Sequence, residues 1–165
     1  MIHQEEFDDP IKTYGCYFLC LCFLRGLKTK EEIEKHLNYC NENGWVGDDS
    51  FIIKPYHVLT GEQKTIEKIS YRKAEYCCKE GEKEILELKN GNKTHFVIGD
   101  SSNYNKKDWM NHIIYDPLAH DSAMLNNCIL DSKRVFLLDY QEEDWDMGPE
   151  RQECALNPEE CDSCQ

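Results

Sequence analysis

The longest uninterrupted apolar run is Cys16 to Leu24, nine residues with no polar alternation. Gly15 bounds it on one side and Arg25-Gly26 on the other. Such a run suits a buried helix or a buried strand, and periodicity does not separate the two. A basic residue in the last turn followed by glycine favours the helix. Thr29-Lys30-Glu31-Glu32 then has the form of a capping box. Apolar positions recur behind it at Ile33, Leu37 and Cys40, and Gly44 closes the pattern, so a second, amphipathic helix is predicted here. Its outer face is charged and carries no site.

Upstream, residues 1–15 read as extended or loop-like, with Pro10 and Gly15 as breakers. Downstream the pattern turns strand-like. Trp45 to Gly61 mixes turn residues with one short apolar run, Phe51 to Ile53, which Pro55 ends. A strand is predicted within Thr65–Tyr76. Further strands are predicted at Glu84–Leu88, His95–Ile98, His112–Tyr115 and Arg134–Leu138. Asn90-Gly91 marks a hairpin turn between the first two of these. Helices first and strands second predict an α+β domain, with helices packed on an antiparallel sheet. The domain is placed at residues 1–140. From Gln141 onward nine acidic residues accompany a single arginine, which reads as an acidic, cysteine-containing tail over 141–165.

Composition narrows the function. The chain has 165 residues, 32 acidic against 19 basic, and a net charge of −13. That balance argues against a phosphate-neutralising nucleic-acid binder and against attraction to anionic membranes. No apolar run reaches the ~18 residues of a membrane span, and Met1–Asp9 is acidic where a secretory signal is basic. A soluble protein made in the cytoplasm is expected, with no cofactor, no metal, no nucleic acid and no membrane insertion. Without a signal peptide, the ten cysteines read as thiols rather than a disulfide framework.

One of them has the setting of a nucleophile. A reactive thiol needs a helix N-terminus or a neighbouring imidazole, and the imidazole needs a third group to hold it. Cys16 follows Gly15 and opens the first predicted helix, where unpaired backbone N–H groups face it. His95 begins a strand in Thr94-His95-Phe96-Val97-Ile98-Gly99, and Asp116 ends one in His112-Ile113-Ile114-Tyr115-Asp116-Pro117. Adjacent antiparallel strands would bring these two to one rim of the sheet. Taken singly, Cys16 is a core thiol, His95 a structural histidine and Asp116 a turn residue. Together they make a Cys–His–Asp set.

A cysteine opening an N-terminal helix, then HFVIGD, then YDP before a last strand, resembles the papain-like cysteine peptidase superfamily. Within it, the pattern is similar to the bacteriocin-leader-processing branch and its short phage-borne relatives, as is the stretch NGWVGDDSFI within residues 43–59. The resemblance runs over roughly residues 8–140 as scattered motifs. It implies a papain-like fold and a cysteine peptidase or amidase. Cys16 would be the nucleophile, His95 the general base and acid, and Asp116 the group that orients His95. It also implies a peptide substrate, such as a peptidoglycan stem peptide cut by a phage-type lysin acting at the cell wall. The sequence departs from the branch in two places. Tyr17 follows the cysteine where glycine is usual, and Pro10 stands six residues before it where a glutamine completes the oxyanion hole. Gln4 is the only upstream glutamine. The missing glutamine favours a rival reading, a binding module that keeps the fold; the rival among enzymes is an intracellular processing peptidase.

Cys20, one helical turn beyond Cys16, is the reserve nucleophile. His112, four residues from Asp116, is the runner-up base. His57 and His120 have no evident partner, and the adjacent pair Cys77-Cys78 reads as structural. In the tail, Cys161 and Cys164 have metal-like spacing and Cys154 lies near. Structural zinc takes four ligands, so an exposed, oxidisable tail is the simpler reading. Asp139 to Asp146 lacks the turn glycine of a calcium loop and reads as a solvated acidic face.

Overall fold

A computed structural model of the chain describes residues 2–100, 109–119 and 125–138. The predicted tail, its three cysteines, the acidic segment 139–146 and His120 lie outside the described residues.

The N-terminal half is helical. A 3-10 turn, Gln4–Glu6, leads to α1 (Ile11–Tyr14), α2 (Cys16–Arg25), α3 (Lys30–Glu42) and α4 (Pro55–Thr60). The segment read as extended over 1–15 therefore contains two short helical pieces. Gly15 joins α1 to α2, and the junction requires glycine. A Cβ there would sit 2.6 Å from the Ile11 carbonyl oxygen and 2.8 Å from Ile11 Cα. Both are backbone atoms, so no side chain can swing aside. Gly15→Ala is expected to destabilise the protein by about 1–3 kcal/mol, read as a lowered urea midpoint. An unchanged midpoint would contradict this packing.

Helix α2 is buried nearly all round, with Phe18, Leu19, Cys20, Leu21 and Cys22 in the core. It ends as its sequence dictates. Gly26 takes a left-handed conformation (φ 91°), and Gly26 N and Leu27 N donate to the Phe23 and Cys22 carbonyls, which is a Schellman ending. For α3, Thr29 Oγ accepts from Glu32 N at 3.1 Å. Glu32 returns its carboxylate to Lys28 N, 3.2 Å away, so the capping box closes one residue earlier than the motif reads. Ile33, Leu37 and Cys40 face inward as predicted.

The C-terminal half is one antiparallel sheet of five strands: β1 (Ile69–Lys73), β2 (Glu82–Asn90), β3 (Lys93–Gly99), β4 (Ile113–Tyr115) and β5 (Ile129–Leu137). Their spatial order is β1-β5-β2-β3-β4. The fold is thus α+β with an antiparallel sheet. The β2–β3 hairpin forms with Asn90 opposite Lys93, so its two-residue turn is Gly91-Asn92, one step beyond the Asn90-Gly91 reading. His112 belongs to a 3-10 turn before β4 and not to the strand. Alternate residues of β2 and β3 supply two cores. Ile85 and Ile98 join Phe18, Leu19 and Phe136 in the helix-facing core. Leu86, Leu88 and Val97 join Trp109 and Leu125 in a smaller second cluster.

Candidate active site

Strand β4 pairs with β3 only at Ile98↔Tyr115 and Gly99↔Ile113. It ends there, leaving the start of β3 as a sheet edge at Phe96 and His95. Helix α2 lies against that edge: Cys20 Sγ donates to the Phe96 carbonyl at 3.5 Å. The end of β4, the edge of β3 and the N-terminus of α2 therefore meet at one point.

Asp116 follows β4 and opens a turn in which Ala119 N donates to the Asp116 carbonyl at 3.0 Å, with Pro117 at the position that favours it. Leu118 N also donates to Asp116 Oδ1 at 2.9 Å. The turn itself thus holds the carboxylate in place. That same oxygen is 2.6 Å from His95 Nε2. Both side chains are about nine-tenths buried (11% and 8% exposed), so the pair is shielded from water. His95 also hydrogen-bonds Cys16 through its side chain. Burial disfavours the charged imidazole, but the hydrogen bonds and charges of Asp116 and Cys16 outweigh it and raise His95 to about 9. These contacts favour the protonated imidazole.

The structure thus brings together Cys16, His95 and Asp116. It removes the reserve nucleophile. Cys20 is fully buried, and desolvation, with the neighbouring Cys16 and Asp116, pushes its thiol well above the ordinary range. Its sulfur serves the Phe96 carbonyl, so it is a core thiol and not a nucleophile. His112 sits in the 3-10 turn before β4, where its carbonyl accepts from Asp100 N at 2.7 Å. His57, read as having no evident partner, has one: its Nδ1 lies 2.6 Å from Glu67 Oε1, while Tyr56 N donates to the other Glu67 oxygen at 3.3 Å. This pins α4 to the chain before β1. Cys78 Sγ donates to Glu84 Oε1 (3.5 Å), and burial raises its thiol strongly, in keeping with a structural role for the Cys77-Cys78 pair. Among the described residues, no cluster of three or more His, Cys, Asp or Glu side chains could hold a metal ion. Nor is any described helix long and apolar enough to cross a membrane.

Gln4 is the residue that pattern reading did not place. It is buried (3% exposed). Its backbone N–H donates to the Pro117 carbonyl at 2.7 Å, and its side-chain Nε2 donates to the Lys12 carbonyl at 3.0 Å. It therefore ties the Asp116 turn to the helical turn just before Cys16. Its Oε1 is buried without a hydrogen-bond partner. A 3-10 turn and α1 fold the chain back, so twelve residues of sequence separation collapse to one neighbourhood. Only a prediction of those short helices would have revealed it.

An open cleft of about 620 Å³ is lined by chain neighbours of the site residues. Tyr14 and Tyr17 flank Cys16 in sequence, Phe96 follows His95, and these line the cleft with Tyr71, Phe51 and Arg134. Tyr17 and Phe96 stack at 4.7 Å. The Arg134 guanidinium lies over the rings of Phe96, Tyr17 and Tyr71 at 4.7, 5.1 and 5.5 Å.

An α+β domain with a Cys–His–Asp set at the sheet edge is the class of protein that these observations define. The chain belongs to the family described as "Protein of unknown function, DUF261", whose model matches residues 2–138. Comparison with curated proteins and with solved structures gives no match.

Proposed function

We propose that the protein is a cysteine hydrolase of papain-like type, cleaving peptide or amide bonds. The observation that supports this best is His95 held between the Cys16 thiol and the Asp116 carboxylate. Attack on a carbonyl uses a thiolate, and a neighbouring imidazolium favours that form. Sγ of Cys16 bonds to the carbonyl carbon, and the C–N bond breaks as His95 gives its proton to the leaving amine. A thioester results. Water then attacks it, His95 accepts the water proton, and the acid leaves with Cys16 restored. Asp116 keeps the ring oriented and balances its charge throughout. A peptidoglycan stem peptide remains one substrate of the right chemistry.

The Cys16 backbone N–H at the start of α2 is one oxyanion donor, and Gln4 is assigned as the other. It lies between the two segments that carry Cys16 and Asp116, in place of the glutamine that Pro10 displaces. Gln4→Ala is expected to lower kcat by about 100- to 1,000-fold, with KM little changed. Steady-state kinetics on a fluorogenic peptide checks this. An unchanged kcat in the folded variant rules out the role.

The hydrolase reading is tested by Cys16-dependent release of amines from a mixed peptide library. The binding-module reading gains from Tyr17, which fills the position after the cysteine with a large ring. Peptide capture with no Cys16-dependent turnover would support it instead.

A further inference from the structure

The cleft lined by Tyr14, Tyr17 and Phe96, chain neighbours of Cys16 and His95, has features that folding alone does not explain. Nine large hydrophobic residues are prominently exposed among the described residues, and four of them line this cleft: Tyr14 (56%), Phe51 (70%), Ile53 (52%) and Tyr71 (66%). Exposed apolar surface gathered at one place marks a binding surface. Three lining residues also hold buried polar atoms without a hydrogen-bond partner: Tyr17 Oη, Ser50 Oγ and Arg134 Nε. Each such atom has lost its hydration with nothing in return. Ser50 is 97% buried (3% exposed) and sits, with Asp49, in the left-handed region (φ 58° and 57°), where side chains other than Gly, Asn and Asp are seldom found. Apolar exposure, orphaned hydrogen-bonding groups and strained backbone thus coincide on one surface, which is where strain serves function.

The charges select the ligand. Arg134 is already paired with Glu87 through a 2.5 Å contact, so its positive charge is balanced. The exposed carboxylates of Asp48 and Asp49 line the same cleft, and neither has a hydrogen bond or ion pair among the described residues. The cleft is therefore net negative, on a chain of net charge −13. All three orphaned groups can donate hydrogen bonds, which suits the carbonyls of a peptide backbone.

We infer that this cleft is the substrate groove, and that it takes a peptide in which a large apolar residue stands next to a basic one. The apolar side chain lies on the Tyr17, Tyr71 and Phe96 rings, the backbone carbonyls meet Ser50, Tyr17 and Arg134, and the basic group reaches Asp48 and Asp49. This rests on the hydrolase reading of Cys16, but binding is measured without it.

The test uses the full-length Cys16→Ala protein and two blocked tetrapeptides, acetyl-Ala-Phe-Lys-Ala-amide and its counterpart with Glu for Lys, followed by calorimetric titration at low salt. The lysine peptide is expected to bind about tenfold more tightly. Replacing its Phe by Ala is expected to weaken it severalfold. The preference should shrink to about threefold or less in Asp48→Asn/Asp49→Asn, a change that keeps the fold because asparagine tolerates the left-handed conformation. Equal binding of both peptides, tighter binding of the acidic one, or no binding of either overturns the assignment. Selective binding without Cys16-dependent cleavage by the unaltered protein leaves the groove standing and removes the hydrolase. Cleavage with no such preference does the reverse.

Discussion

Cys16→Ala is expected to remove amide hydrolysis, lowering kcat by about 10⁵- to 10⁶-fold, the scale seen when a triad nucleophile is deleted. Cys16 is half-buried and heads α2 after a glycine. Alanine fits that position and keeps the helix, so the circular dichroism spectrum and urea midpoint should barely move. Cys20→Ala gives the contrast. It removes a fully buried sulfur and its contact with the Phe96 carbonyl, so it should lower stability by about 1 kcal/mol while leaving most of the activity. Activity retained in Cys16→Ala and lost in Cys20→Ala would invert the assignment.

Asp116→Asn carries the second large effect. Asparagine can still meet the imidazole, but it supplies no negative charge. Triads lose about 10⁴-fold in kcat on this change, and a loss of that order is expected here. The pH dependence adds a signature that mere unfolding would not give. His95 is raised to about 9 because its contacts with Asp116 and Cys16 outweigh burial. The basic limb of kcat/KM, where the imidazolium is lost, should therefore fall near pH 9. With the carboxylate gone, burial prevails and the limb should move to lower pH. Stability follows the same titration. The folded value lies above the ordinary 6.5, so the stabilising contribution is complete below about pH 6.5. It declines as pH rises and is lost above about 9. Thermal unfolding between pH 6 and 10 should show that decline in the unaltered protein and a smaller one in Asp116→Asn. A profile that Asp116→Asn leaves in place would detach His95 from Asp116.

Much of this arrangement was legible in the chain because local chemistry specifies it. Gly15 and Gly26 bracket α2, Thr29 and Glu32 start α3, and the Asn90-Gly91 signal lies within one residue of the true turn. Asp116-Pro117 announces a turn that also fixes a carboxylate. What was not legible depends on partners distant in sequence. Helix α4 was missed because Pro55 reads as a stop, whereas here it occupies the first helical position. The six residues are stabilised from outside, by Glu67 at His57, by Arg25 at the Thr60 carbonyl, and by the Tyr56 hydroxyl on the Leu137 carbonyl at 2.7 Å. Strand β5 begins five residues before the predicted start at Arg134, and within it Lys133 is buried with its ammonium 3.1 Å from Glu84 and 2.7 Å from the Tyr76 carbonyl, partners that only the fold supplies. Cys20 looked equivalent to Cys16 because both fall on one helical face. The difference is depth, which spacing does not report. Gln4 was out of reach for the same kind of reason: its neighbours are set by two short helical turns that no periodicity marks.

The most direct measurement is competitive iodoacetamide labelling of the native full-length protein near pH 6, with the rate at each cysteine read by mass spectrometry. An ordinary thiol, with a pKa of ~8.5, is almost wholly protonated there and reacts slowly. The expected result is that Cys16 reacts far faster than the other nine cysteines and that His95→Ala abolishes the excess. If Cys16 is as inert as Cys20, or its reactivity ignores His95, the cysteine–histidine chemistry is contradicted and Cys16 is a core thiol.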